Sequence, residues 1–245
     1  MTELLYQTDA YLCDAPATVR ALTPEGGIVL DRSLFYPTGG GQPGDSGWLA
    51  TAAGRIAIAT TLKGGGGEVV LVPEAPVILP AVGEAVTQHL DWAQRHRHMR
   101  VHTALHLLSV VIPLPVTGGQ IGAGKGRLDF LMPGPPQDPA ALEAALNALI
   151  ARDLPVSTEW IDEAELDADP GLVKTLSVAP PRGTGRIRLV RIGEREGRVD
   201  LQPCGGTHVA RTGEIGTVTL GRIENKGKQN RRVNLHLAGE SHLRS

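Results

Sequence analysis

Short apolar runs alternate with Gly- and Pro-rich breaks along the first ninety residues. Runs at 28–30, 34–36, 48–50, 55–60, 69–72, 77–79 and 85–90 are too short for helices and are bounded by turn formers. Evenly spaced runs of this kind predict a small barrel or sandwich of short strands. From Asp91 the period changes. Positions 92–112 contain no proline, and Val101, Ala104, Leu105, Leu108 and Ile112 form one stripe at helical spacing, ended by Pro113. Asp138-Pro139 supplies an N-cap and an N1 proline for a second helix carrying Leu142, Leu146, Leu149 and Ile150. Asp162 and Glu165 form a capping box for a short third one. Strand-like runs return at 156–160, 186–192, 198–201, 216–220 and 233–237. The expected class is α+β, with a β-barrel domain over 1–90 and an α/β domain over 91–245.

Composition narrows the picture. Of 245 residues, 31 are Gly and 18 Pro, which favours many turns over a helical bundle. A hydrophobic content of 41% excludes a disordered chain, and with 3% aromatics the core must be aliphatic. No run approaches the ~18 apolar residues of a membrane span, and the N-terminus has no export signal. Two cysteines, Cys13 and Cys204, cannot form a disulfide framework, so a soluble cytoplasmic protein is expected.

The net charge of -2 argues against a generic polyanion binder, but the charge is unevenly spread. Residues 1–90 hold four basic and nine acidic side chains, whereas 182–232 hold twelve basic and five acidic ones. One part of the chain is therefore suited to meet a polyanion, or presents a solvated strand face.

His102 and His106 are four apart on the first long helix, which stacks two imidazoles away from the apolar stripe. Thr103 stands where a zincin protease has Glu, so that chemistry is not expected. A second pair, Cys204 and His208, flanks Gly205-Gly206-Thr207. Together the two pairs supply three nitrogens and one sulfur, a donor set suited to tetrahedral zinc. Cys204 as a nucleophile is the competing reading.

These motifs resemble the editing domain of alanyl-tRNA synthetases and its free-standing relatives, the AlaX proteins. The segments that carry the resemblance are His102-Thr-Ala-Leu-His106-Leu-Leu and Cys204-Gly-Gly-Thr-His208-Val, with the glycine-rich stretch from Phe35 to Gly47. Thr117 to Gly122, Gly126 to Phe130, Ile223 to Lys228 and Arg231-Arg232 extend it in the family's order. The resemblance implies a two-layer domain with an antiparallel sheet, of the type shared by threonyl- and alanyl-tRNA synthetases, behind a small barrel. It also implies a trans-acting hydrolase that removes a wrong amino acid, chiefly serine, from tRNA(Ala), with glycine a second candidate. Because the chain begins at the barrel, it is expected to correct errors and make none.

Hydrolysis of that ester needs an activated water, a stabilised oxyanion and a protonated leaving hydroxyl. Zinc held by His102, His106, Cys204 and His208 would either activate the water or position the substrate. Gln120 is a candidate for bonding substrate, or a turn residue. Thr103 is a candidate for reading the serine hydroxyl, or bonds back to a helix carbonyl. The loop with Gly40, Gly41, Gln42 and Asp45 lacks a P-loop ending. It either makes tight turns or lies beside the substrate, with Gln42 and Asp45 holding it. For tRNA contact the candidates are Arg182, Arg186, Arg188, Lys226, Lys228, Arg231 and Arg232, with Arg95, Arg97 and Arg100 beside the histidine helix. The alternatives are a non-catalytic tRNA-binding module with structural zinc, or a metal-dependent hydrolase of another ester. The oligomeric state is left open.

Overall fold

The computed structural model describes residues 1–136, 138–174 and 185–239. Arg182 lies outside them. The chain divides into two compact units, Met1–Arg97 and His98–Ser245.

The first unit is a closed barrel of six strands: β1 (Asp14–Leu22), β2 (Ile28–Leu30), β3 (Gly47–Thr51), β4 (Gly54–Lys63), β5 (Val69–Pro73) and β6 (Ala85–Leu90). The order around the barrel is β1-β2-β5-β4-β3-β6, and β6 pairs with β1 to close it. Alternation fills the interior: Ile56 and Ile58 of β4 point in beside Val19, Ile28, Leu30, Leu49, Leu71 and Val86. Strand β1 gave no sequence signal because its inward positions include the alanines 15 and 17, flanking Pro16.

Two expected strands are absent. Residues 77–79, between Pro76 and Pro80, are irregular, and Ile78 is 83% exposed. Residues 34–36 are buried yet unpaired with any strand, because polar side chains take the place of a neighbour. The amide of Leu34 donates to Gln88 Oε1 (3.1 Å), that of Phe35 to Ser33 Oγ (3.1 Å) and that of Tyr36 to Asp45 Oδ2 (2.6 Å). Each buried donor is thereby satisfied without a ladder.

Helix α1 (Trp92–Val111) carries the histidine pair, and the division between the units falls inside it. In the second unit, β7 (Val116–Ile121), β8 (Lys125–Leu131), β12 (Val218–Asn225) and β13 (Asn230–Leu237) form one antiparallel sheet, ordered β12-β13-β8-β7. The remaining strands β9 (Val156–Asp162), β10 (Arg186–Ile192) and β11 (Asp200–Pro203) form a second antiparallel sheet. Helix α2 (Pro139–Ala151) is capped by the Asp138 side chain, which accepts from the Ala141 amide (2.9 Å). Helix α3 (Glu163–Ala168) opens on the Asp162/Glu165 capping box.

Helix α1 lies against the four-stranded sheet at Gly126. A Cβ there would come within 2.6 Å of Val101 and 3.1 Å of Leu105, so glycine sets how close helix and sheet approach. The helix is covered on its other side too. From Val101 to Ser109 every residue is buried, so the histidine face is not the open face that a single apolar stripe implies.

Candidate metal centre

Helix α1 stacks His102 and His106 with ring centroids 5.2 Å apart. The loop after β11 folds back over them, bringing the His208 ring within 4.2 Å of His102 and 4.5 Å of His106. Cys204 Sγ lies 3.5 Å from His102 Nε2 and 3.3 Å from His208 Nε2. The four donor atoms all fall within 4.8 Å of one another. A tetrahedral ion with metal–nitrogen bonds near 2.1 Å and a metal–sulfur bond near 2.3 Å separates its ligands by roughly 3.3–3.6 Å. The two sulfur contacts meet that spacing, so the residues present fit a metal ion.

The surroundings hold this set in place. Arg188 is buried and its Nη1 donates to the carbonyls of Cys204 (2.8 Å) and Gly206 (3.0 Å), pinning the turn between the thiol and His208. The Gly206 amide points at Cys204 Sγ (3.4 Å). Thr103 Oγ donates to the Met99 carbonyl (2.9 Å), which consumes its one proton. It then accepts from the Val209 amide (3.3 Å) and from His208 Nδ1 (3.1 Å), leaving Nε2 of His208 to face the cluster. Asp200 does the same for His106: Oδ2 accepts from Nδ1 at 3.1 Å and from Gln202 Nε2 at 2.7 Å, while Lys174 pairs with Oδ1. Partners on the far nitrogen fix ring orientation and tautomer for metal binding.

The protonation states follow. Burial opposes charge on Cys204, but His102 and His208 override it and hold the thiol well below its usual range. Thiolate is the form that ligates. Burial, then the charge of His102, pushes His208 well down. Burial lowers His106, but the hydrogen bond to Asp200 and the Cys204 sulfur outweigh it and raise its pKa to about 9, so an ion bound at Nε2 would displace a proton there. Burial would raise Asp200, yet His106 and Lys174 bring it down to about 2.

The other candidates are placed elsewhere. Gln120 is exposed and accepts from Arg127 Nε (3.2 Å) on the face of the sheet opposite helix α1. Asp45, in the first unit, is fully buried against Arg95, whose Nη1 also donates to the Ala10 carbonyl (2.9 Å). Gln42 is buried and bridges to Gly39, whereas Gly40 and Gly41 stand exposed at the tip of their loop with φ of +58° and +81°. Arg231 donates to Asn225 (2.9 Å) and to the carbonyls of Gly227 (2.8 Å) and Pro133 (3.0 Å). Arg232 grips Asp129 with two bonds, of 2.8 and 3.0 Å.

Three arginines expected to meet nucleic acid do internal work instead. Arg188 holds the Cys204–His208 loop and Arg95 is buried in the first unit, while Arg100 donates to the Ile215 carbonyl (3.1 and 2.9 Å). Arg97 is half-buried, whereas Arg186, Lys226 and Lys228 are exposed.

Two family models match the chain. Residues 187–234 match the threonyl and alanyl tRNA synthetase second additional domain, and residues 15–94 match class II (A) tRNA synthetases. The alanyl-tRNA editing protein AlaX-M of Methanosarcina acetivorans is 35% identical over 243 residues, covering 95% of this chain and 98% of that protein. The chain belongs to the AlaX family of alanyl-tRNA editing proteins. The AlaX-M of Saccharolobus solfataricus is 34% identical over 239 residues, 95% and 98% of the two chains. An alanine–tRNA ligase of Pyrobaculum calidifontis is 35% identical over 233 residues, but only 25% of its length is matched. In this AlaX chain the second-additional-domain match spans the Asp200 strand and the Cys204–His208 loop, and the class II match spans the barrel.

Asp200, Gln202 and Lys174 were not legible as partners of the site. The only signal for Asp200 was an acid between Val199 and Leu201, where an apolar strand gives no reason for one. No helix among the described residues is long and apolar enough to cross a membrane.

Proposed function

We propose that this chain is a trans-editing deacylase that removes serine from mischarged tRNA(Ala), with zinc held by His102, His106, Cys204 and His208. The observation that carries the reading is the packing of four donor atoms within 4.8 Å in a chain similar over 95% of its length to an AlaX-M protein. A bound zinc would supply Lewis-acid polarisation of the ester carbonyl or an anchor for the amino group of the aminoacyl ester.

The chain's own residues do the remaining work. Asp200 and Thr103 orient His106 and His208, and Arg188 fixes the loop that carries Cys204. In this reading Thr103 positions a ligand; with its proton given to Met99 it has none to offer a serine hydroxyl. Gln42 and Asp45 hold the glycine-rich loop, and Gly40 and Gly41 at its tip are its candidates for substrate contact. A site that bonds the serine hydroxyl would discriminate by about 10⁴ against alanine, which lacks it. Glycine is the second candidate substrate.

Four protein donors also favour a second reading, in which the metal is structural and the chain binds tRNA without hydrolysing it. Incubation with Ser-, Gly- and Ala-tRNA(Ala) separates the two. Loss of serine with alanine spared supports editing. No hydrolysis at near-stoichiometric, metal-loaded protein overturns it in favour of the binding module.

A further inference from the structure

The four-stranded sheet has two faces, and only one is covered by helix α1. Residues in phase with Gly126, such as Ile121 and Leu128, point toward the helix. Their neighbours point the other way, where Arg127 stands between Gln120 on β7 and Asn234 on β13. One step along, Lys125 pairs with His236. At the edge, β12 carries a register shift between Leu220 and Ile223, which brings Gly221 and Arg222 over this row. The result is a basin of about 470 Å³ lined by Gln120, Lys125, Arg127, Arg222, Asn234 and His236, with Glu224 at its side.

Its chemistry is cationic. Three basic side chains from two strands meet one lining carboxylate, and that carboxylate is already engaged. Glu224 pairs with Lys226 (2.7 Å) and accepts from Asn234 (2.9 Å). Arg127 is held rigid by Gln120 (3.2 Å) and Asp129 (2.7 Å), so ordering it on a ligand costs little. Lys125 and Arg222 are exposed and have no carboxylate partner among the described residues. Glycine at 221 keeps the basin open: a Cβ would come within 2.9 Å of the His236 ring and 3.2 Å of Asn234.

We infer that this basin binds phosphodiester groups of the tRNA backbone, with Lys125, Arg127 and Arg222 as the phosphate contacts and Gln120 and Asn234 as neutral hydrogen-bonding partners. The site rests on the editing reading for its ligand, but it is separate from the metal ligands and lies across the sheet from the helix that carries two of them. Cations with flanking amides suit a ribose-phosphate chain, whose recognition needs charge and hydrogen bonds rather than base edges. A volume of this order also admits a free nucleotide, which shares the same chemistry.

The test uses the full chain, uncharged tRNA(Ala) and AMP as separate probes, and the double variants K125A/R222A and K125R/R222K. Bound metal and the thermal midpoint are measured alongside to show that the variants fold. K125A/R222A should bind tRNA about tenfold more weakly, with the slope of log affinity against log salt reduced by about 1.5. K125R/R222K, which keeps the charges, should bind like the parent. Unchanged tRNA affinity and slope in K125A/R222A overturns the inference. So does the loss of AMP binding alone with tRNA binding intact, which would make the basin a nucleotide site. If the parent chain itself fails to bind tRNA, the editing reading falls as well, so the two failures are distinguishable.

Discussion

His106 Nδ1 donates to Asp200 Oδ2 at 3.1 Å, and the same oxygen accepts from Gln202 at 2.7 Å. The carboxylate therefore fixes the His106 tautomer with Nε2 left for a metal. Asp200→Asn keeps the shape but can present an amide N–H to the ring. Zinc affinity should fall about 10- to 100-fold, measured by competition with a chromogenic chelator. Unchanged affinity would mean that the contact does not orient the ring.

Cys204→Ala and His106→Ala should each lower bound zinc below one equivalent in elemental analysis of the purified protein. Full retention in both variants would place the metal elsewhere.

Arg95 and Asp45 form an ion pair with both side chains buried. Removing one partner strands a charge, so Arg95→Ala should destabilise the first unit by about 3–5 kcal/mol in denaturant unfolding. A loss under 1 kcal/mol would show that the pair relaxes to solvent.

Gly44 leaves no room for a side chain, since a Cβ would lie 2.1 Å from the Thr61 carbonyl oxygen. Gly44→Ala must push two backbones apart, at a cost of about 1–3 kcal/mol. Differential scanning calorimetry should show a lowered transition; an unchanged one would mean that the barrel yields there freely.

Burial raises the Asp129 carboxyl, but the hydrogen bond from Arg232, then Arg127, outweighs it and holds the group below its usual range. A folded pKa below the unfolded value of about 4 means that this stability is present above pH 4 and lost as pH falls through the folded value. Asp129→Asn should therefore be less stable than the parent at pH 7, and the gap should shrink on acidification. A gap independent of pH would reject the assignment.

The grouping of the four candidate donors was legible because each half is a local pattern, two donors four residues apart on one segment. What lay across elements was not. Asp200 gave no periodic signal, and its role exists only once β11 meets helix α1. Strand β7 was hidden by Gly118 and Gly119, which weaken any strand pattern, and Gly126 has meaning only against Val101. Residues 34–36 carried a true signal for burial, but the polar groups that replace a partner strand come from Ser33, Asp45 and Gln88. Arginine clustering along the chain showed charge without direction, so Arg188 and Arg100 read as surface groups although they cap carbonyls.

The sulfur of Cys204 touches a histidine 102 positions earlier in the chain. Between the two halves of the donor set lie strands β7 to β11, so no short fragment contains all four donors. The four donors come together only when the second unit is assembled. During synthesis the site is incomplete until the segment beyond His208 has left the ribosome. A chain truncated before that point would carry both helix histidines but lack the other two donors.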